Sequence, residues 1–155
     1  MAENQNGGSN KLDVQLESTL DSVDVAEASI LKIAEESGFA EDDLHKLGMA
    51  VREAMVNAVV HGNRYNLKKK VHLRVDSSER ALRITIVDEG EGFELQDLPD
   101  PLAEENLLRQ SGRGLLLIQA FVDEFSMHKA GAPLGTEVTL VFNKTNQSEA
   151  GGSAE

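Results

Sequence analysis

Short stretches in which apolar and polar residues alternate recur along the chain, and this alternation predicts β-strands. The first covers residues 12–17. Two more, with apolar residues at every second position over 71–75 and 82–86, flank a hairpin-turn signal at 77–80. The last two strand-like runs, about 124–130 and 136–142, are joined by a turn that contains glycine and proline. The pattern therefore predicts five strands.

Apolar residues spaced three or four positions apart predict helices between these strands. One helix carries apolar residues from Val23 to Ala34 and stops before Gly38. A second begins in the acidic stretch 41–43, which suits the positive start of a helix, and ends near 61–63. A short third helix is predicted over about 115–122. The order of elements predicts an α+β two-layer sandwich, in which a mixed, mainly antiparallel sheet has helices on one face.

The composition narrows the function classes. The chain has 155 residues, and 15 Lys and Arg against 27 Asp and Glu give a formal net charge of −12. This balance argues against direct binding to nucleic acid or to an anionic membrane, because both need a basic surface. Cysteine is absent, which excludes disulfides and thiolate sites. There is no apolar run of roughly 18 residues and no signal-peptide pattern, so we expect a cytoplasmic protein. Polar tails over 1–10 and 144–155 are expected to be disordered around a domain of residues 11–143.

The second predicted helix carries a polar stripe formed by Glu53, Asn57 and His61. Their i, i+4, i+8 spacing keeps them on one side, since each step drifts by only about 40° around the helix. A carboxylate and a carboxamide one turn apart can act as a general base and as a ligand for a hard cation such as Mg²⁺. The alternative is the ordinary polar face of an amphipathic helix, in which His61 would only form structural hydrogen bonds.

The next candidate follows the third predicted strand, where Asp88 precedes Gly90 and Gly92. The strand delivers the Asp88 carboxylate to the edge of a turn, and the two glycines allow a ligand to approach the backbone closely. A carboxylate placed in this way can accept hydrogen bonds from an exocyclic amine. The alternative is an ordinary acidic turn.

A long stretch over residues 89–112 follows no strong periodicity, which is typical of a functional lid, here over about 94–111. Gly112 and Gly114 then stand before the third helix, where exposed N–H groups and the helix dipole favour a phosphate. The alternative is a flexible hinge, and the glycine spacing fits neither a Rossmann nor a Walker motif. Gly135 and Thr136 open the last strand and count only as a fourth member of this set.

Taken together and in this order, the four segments resemble the GHKL (Bergerat-fold) ATP-binding superfamily. The resemblance covers about residues 12–142. Within the superfamily the chain is most similar to the bacterial anti-sigma factor serine/threonine kinases. The similarity lies in the motif Glu-Ala-x-x-Asn-Ala-x-x-His-Gly over 53–62, in the single-domain length and in the glycine box directly before Leu-Leu-Leu-Ile-Gln.

The resemblance implies a role for each matching residue. Asn57 would coordinate Mg²⁺, and Glu53 would be the general base that activates the attacking hydroxyl. Asp88 would hold the adenine amino group, while Gly90 and Gly92 would let the base approach. Thr136 would reach the adenine directly or through water.

On the phosphate side, the resemblance implies that Gly112 and Gly114 cap the phosphates of ATP under the closing lid. Arg109 and Arg113 are the candidates for contact with the γ-phosphate. Kinases of this group often carry a basic residue immediately before the Ser-Gly of this box, whereas this chain has Gln110 there.

The function implied by the resemblance is an ATP- and Mg²⁺-dependent protein-serine kinase that sequesters a sigma factor and phosphorylates an anti-anti-sigma (STAS) protein. Relatives suggest a homodimer. Because of Gln110, a nucleotide-dependent partner-binding module without kinase activity is the alternative. The catalytic fragment of a histidine kinase is disfavoured, because no phosphoacceptor helix pair is present and an acid precedes Asn57 by four residues. An ATP hydrolase of the gyrase or mismatch-repair type is disfavoured because no transducer domain follows.

Overall fold

The computed structural model describes residues 10–91, 110–131 and 133–144. Gly92, Arg109 and nearly all of the predicted lid lie outside the described residues, as do residues 1–9 and 145–155 of the predicted tails. The first strand begins at Asn10, one residue before the predicted start of the domain.

Five strands in the described part of the chain form one sheet. They are β1 (Asn10–Glu17), β2 (Lys70–Ser77), β3 (Ala81–Val87), β4 (Glu124–Lys129) and β5 (Thr136–Asn143). Their order in the sheet is β1-β2-β3-β5-β4, and each neighbouring pair is antiparallel. The predicted α+β two-layer fold is confirmed, and its sheet is antiparallel throughout these strands.

The alternation along the strands separates a buried face from a polar one. The pairs Leu12–Val75 and Leu73–Ile86 lie on the face that carries the core. Cross-strand charges occupy the other face, as where Asp13 and Arg74 approach to 3.9 Å. One face is therefore buried by helices while the other meets solvent, which is the arrangement that produces a period of two.

The helical layer contains α1 (Leu20–Glu36), α2 (Glu41–Val56) and α3 (Gln110–Phe121). Thr19 caps α1 by accepting a hydrogen bond from the Ser22 N–H at 3.3 Å, and Gly38 follows the helix with a φ of 96°. Both α1 and α3 pack against α2. The buried faces of α1 and α2 carry the apolar residues that the sequence predicts: Val23, Ala26, Ile30 and Ala34 on α1, and Leu47, Val51 and Met55 on α2.

A π-helical turn over Asn57–Gly62 continues α2 without a break. The Asn63 N–H donates to the Ala58 carbonyl at 2.8 Å, five residues back, which is the π spacing. The sequence predicts the end of this helix correctly but not its wider last turn. Such turns occur frequently at functional sites.

The third helix begins five residues earlier than the predicted start at Leu115. Gly112, Arg113 and Gly114 therefore lie in the first turns of α3, which agrees with a glycine pair at a helix start, but the predicted boundary near Leu115 is wrong. Glycine disfavours a helix interior by about 1 kcal/mol, which is why the pair suggests a boundary. Burial of Leu115 and Ile118 offsets that cost, because it fixes the helix on the core.

Candidate functional site

The centre of the site is Asp88, which directly follows β3 and is only 5% exposed. Its main-chain N–H donates to the Thr136 carbonyl at 3.1 Å, and its carbonyl accepts from the Gly135 N–H at 2.8 Å. Its side-chain Oδ1 accepts from the N–H groups of Gly90 at 2.9 Å and Thr136 at 3.0 Å. The fold thus brings together two segments that are 48 positions apart and that the sequence selects independently.

The second carboxylate oxygen, Oδ2, lies against Gly62 at the end of the π turn. Among the described residues, no donor lies within hydrogen-bonding distance of Oδ2. Burial raises the pKa of the Asp88 carboxyl, and the hydrogen bonds from the Thr136 and Gly90 N–H groups offset part of that rise. A buried acceptor without a protein donor is suited to an amino group brought by a ligand.

Three glycines pack around this carboxylate, and none of them has room for a side chain. A Cβ on Gly62 would overlap the Asp88 carboxylate, and a Cβ on Gly90 would overlap the Gly62 carbonyl. A Cβ on Gly135 would overlap Asp88 Oδ1 and would lie 2.7 Å from the backbone nitrogen of Gly90. Glycine is required here for close approach between backbones, not for an unusual φ.

Glu89 is fixed beside Asp88 by residues that sequence reasoning does not select. The Glu89 N–H donates to Asn63 Oδ1 at 2.8 Å, and Glu89 Oε2 lies 2.7 Å from His72 Nε2. Burial alone would raise the pKa of Glu89, but the hydrogen bonds from His72 and from the Lys70 backbone N–H hold that pKa below its usual range. The sequence pattern selects Asn63 only as a possible helix end. Its position directly after the His-Gly pair is the signal that could have marked it as part of the site.

The polar stripe of α2 faces away from the core. Glu53 and Asn57 are half-buried and His61 is exposed, whereas Ala54, Met55, Ala58 and Val59 on the other sides of the helix are buried. Asn57 is the first residue of the π turn, whose last residue is the Gly62 that contacts Asp88. The π turn therefore connects the polar stripe of α2 to the Asp88 carboxylate.

An ion pair with Lys46 or Arg52 is the structural alternative to a catalytic role for Glu53. Arg52 instead donates to Asp24 at 2.9 Å and to Glu27 at 2.7 Å, both on α1. Within the described residues Glu53 makes no ion pair, so its carboxylate is available for other chemistry.

No group of three or more His, Cys, Asp and Glu side chains occurs in the described residues that could hold a metal by itself. No helix in the described part of the chain is long and apolar enough to cross a membrane.

The remaining candidates lie on the other side of the undescribed stretch. Gly112, Arg113 and Gly114 are at the start of α3, and Thr136 is 4% exposed beside Asp88. Gly92 and Arg109 lie outside the described residues. The structure therefore brings together Asp88, Gly90 and Thr136. The role of every candidate residue remains a prediction.

Comparison with known proteins places this chain among ATPase domains. Residues 16–142 match the family model described as a histidine kinase-like ATPase domain, so the chain belongs to that family, which implies ATP binding. It is 32% identical over 101 residues to the anti-sigma F factor of Bacillus subtilis, covering 64% of this chain and 68% of that protein. It is 30% identical over 112 residues to the serine-protein kinase RsbW of Oceanobacillus iheyensis, covering 68% of this chain and 71% of that protein.

A solved structure shares the fold. The crystal structure of the RsbU and RsbW domains of a Mycobacterium tuberculosis protein matches with a TM-score of 0.61 at 21% sequence identity. The match covers 86% of this chain but only 32% of that chain, so the present chain spans about a third of it. The predicted membership of the GHKL superfamily, with anti-sigma factor kinases among its relatives, is confirmed.

Proposed function

We propose that this chain is an ATP- and Mg²⁺-dependent protein-serine kinase that acts as an anti-sigma factor. The observation that carries the proposal is the buried Asp88 carboxylate, whose Oδ1 is occupied by two backbone N–H groups while Oδ2 faces no donor among the described residues. Relatives of the chain are named as an anti-sigma F factor and as serine-protein kinases, which supports the same function.

The Asp88 carboxylate and the three glycines packed around it, here called the Asp88 cradle, have the chemistry to recognise adenine. Its Oδ2 can accept the exocyclic amino group, and the packing of Gly62, Gly90 and Gly135 holds the carboxylate in one orientation. Thr136, whose N–H donates to the carboxylate, would add a second contact to the base. Bound ATP would supply the phosphoryl group for transfer, with Gly112, Gly114, Arg109 and Arg113 as the predicted phosphate contacts.

The α2 helix would supply the reacting groups. Asn57 would hold Mg²⁺ through its side-chain oxygen, and the cation would neutralise charge on the phosphates. Glu53 would take the proton of a serine hydroxyl as the serine oxygen bonds to the γ-phosphorus and the bond from that phosphorus to ADP breaks. The products are phosphoserine, ADP and a protonated Glu53, which returns its proton to water.

The proposed protein partners are a sigma factor, which is sequestered, and an anti-anti-sigma (STAS) protein, which receives the phosphate. The names of the relatives support a role in sigma-factor control and serine phosphorylation. The net charge of −12 favours partners that present a basic surface. We further propose a homodimer.

A second candidate is a nucleotide-dependent module that binds a partner without phosphorylating it. The observation that favours it is Gln110, which stands immediately before Ser111 and Gly112 where kinases of this group often carry a basic residue. A missing positive charge at this point would weaken stabilisation of the transferring phosphoryl group but would leave the Asp88 cradle intact.

Incubation with γ-labelled ATP, Mg²⁺ and a panel of STAS proteins tests the proposal. Label on a serine of one STAS protein is the expected result. Tight ATP binding without transfer to any protein would favour the binding module. Label on histidine, or release of free phosphate alone, would contradict the proposed function. D88N serves as the control, because it should abolish transfer at low ATP concentration.

A further inference from the structure

The side chain of Asn63 is fully hydrogen-bonded, although no role is assigned to it above. Asn63 directly follows the π turn, is 2% exposed and donates its backbone N–H to the Ala58 carbonyl. Its side-chain Nδ2 donates to Ser18 Oγ at 2.9 Å and to the Lys70 carbonyl at 3.0 Å. Its Oδ1 accepts the Glu89 N–H at 2.8 Å. Both amide hydrogens and the carbonyl oxygen are therefore engaged.

These bonds connect three separate parts of the chain. Ser18 joins β1 to α1 and also donates to the Lys69 carbonyl at 2.6 Å, while Lys70 opens β2. Glu89 belongs to the turn that carries the site. The Nδ2 side of Asn63 is thus anchored in the framework of the fold, and the Oδ1 side holds the residue next to Asp88.

The placement of the Asp88 carboxylate follows from that link. On one side, the main chain of Asp88 pairs with Gly135 and Thr136. On the other side, Asn63 Oδ1 accepts a hydrogen bond from the N–H of Glu89, the residue that follows Asp88. The Glu89 side chain is held in addition by His72. Gly62, the neighbour of Asn63, touches the carboxylate itself.

We propose that Asn63 is a positioning residue for nucleotide binding: it fixes the turn after β3 so that Asp88 Oδ2 faces the ligand in register with the helix that carries Asn57. The inference rests on the proposed function, because the ligand at Asp88 is taken to be ATP. A purely structural Asn63 would lower stability when removed but would leave nucleotide affinity unchanged.

The test compares N63A with S18A in the full chain. S18A removes one partner of Asn63 Nδ2 but leaves the bond between Asn63 and Glu89, so it is a matched control for lost stability. At a temperature where both variants are folded, N63A should raise the Kd for ATP about 3- to 10-fold, and S18A should leave it within about twofold. At saturating ATP, phosphoryl transfer by N63A should approach the wild-type rate.

Equal Kd values for N63A and wild type, or an equal rise in S18A and N63A, would overturn the proposal. If N63A does not fold, N63Q replaces it, since it keeps the amide group but displaces it by one methylene, and the same rise is expected. Hydrogen exchange at the Glu89 amide adds a measurement that needs no nucleotide. Protection of the Glu89 amide that is present in wild type and S18A but lost in N63A would support Asn63 as the residue that fixes this turn, even if ATP proves not to be the ligand. Unchanged protection in N63A would contradict it.

Discussion

At the scale of single residues, Asp88 meets two requirements that oppose each other. Ligand recognition needs a charged acceptor in a buried place, and burial raises the pKa of its carboxyl, which makes the charged form costly in the folded protein. Because the folded-state pKa lies above the unfolded value, stability declines as the pH rises through the interval between the two. Above the folded-state pKa the full penalty applies. The site is therefore maintained at the expense of stability.

D88N separates these two effects. The asparagine Oδ1 can keep the hydrogen bonds from Gly90 and Thr136, while the ionisation penalty disappears, so the thermal midpoint at pH 7 without nucleotide should rise. Its Nδ2 is a donor where the adenine amine needs an acceptor, so ATP affinity should fall by about 1–3 kcal/mol, or roughly 5- to 150-fold. Thermal melts and calorimetry measure both. Unchanged ATP affinity would exclude Asp88 as the adenine contact.

The hydrogen bond between His72 and Glu89 predicts a pH-dependent contribution to stability. The pKa of Glu89 is lowered, so the stabilisation is fully present above its unfolded pKa of about 4.3 and is lost as the pH falls through the folded value. E89Q should therefore unfold more easily than wild type at pH 7, by about 1 kcal/mol, and the difference should disappear once the pH falls below the folded-state pKa of Glu89. Denaturant melts at several pH values measure it.

Glu137 provides the control for that experiment. Its carboxylate lies 3.8 Å from His128 Nε2, and both side chains are more exposed than those of the His72–Glu89 pair. At pH 7, E137Q should change stability less than E89Q does. An equal effect of the two substitutions would mean that the Glu89 hydrogen bonds stabilise the fold no more than the exposed His128–Glu137 pair does.

The sequence predicts part of the site residue by residue. Asp88, Gly90 and Thr136 stand out because each interrupts or opens a strand, and the structure brings them into contact. Asn63 and His72 are missed because their partner, Glu89, lies 26 and 17 positions away, and no local period reports a contact of that range. Their roles emerge only once the sheet is assembled.

At the scale of elements, prediction succeeds where one face is buried. The strands and the first two helices follow from apolar spacing, because burial against the opposite layer imposes the period. The π turn over Asn57–Gly62 is not predicted, because it contains the same residue types as an α-helix and does not change the spacing of the apolar residues. The early start of α3 is missed because two glycines resemble a boundary, whereas packing of Leu115 and Ile118 extends the helix.

Asn57, which stands at the junction of α2 and the π turn, is the proposed protein ligand of Mg²⁺. N57A should remove the tightening of ATP binding by Mg²⁺, because the carboxamide oxygen is the proposed protein ligand and phosphates supply the others. ATP affinity without Mg²⁺ should stay within about twofold of wild type, since adenine recognition depends on Asp88. Calorimetry with and without Mg²⁺ tests this. If Mg²⁺ tightens ATP binding equally in N57A and wild type, another residue is the ligand.

At the scale of the whole molecule, the fold connects the residues proposed for adenine recognition to the helix that carries the proposed reacting groups. The sheet carries Asp88 and Thr136 at the ends of two neighbouring strands, and the helix layer carries Glu53 and Asn57 on the polar face of α2. The π turn joins the two layers through the contact of Gly62 with Asp88. This arrangement leads to the central claim that one domain binds ATP and transfers its phosphoryl group to a serine.

The most direct test of that claim is the single-turnover rate of phosphoryl transfer from ATP to a STAS-protein serine by E53Q. The substitution preserves shape and removes proton affinity, so ATP should bind as in wild type while transfer falls by about 10²–10⁴. E41Q, at the opposite end of α2, serves as the control and should transfer at the wild-type rate. Full transfer activity in E53Q would contradict the account, and loss of ATP binding would make Glu53 a binding group instead of the base.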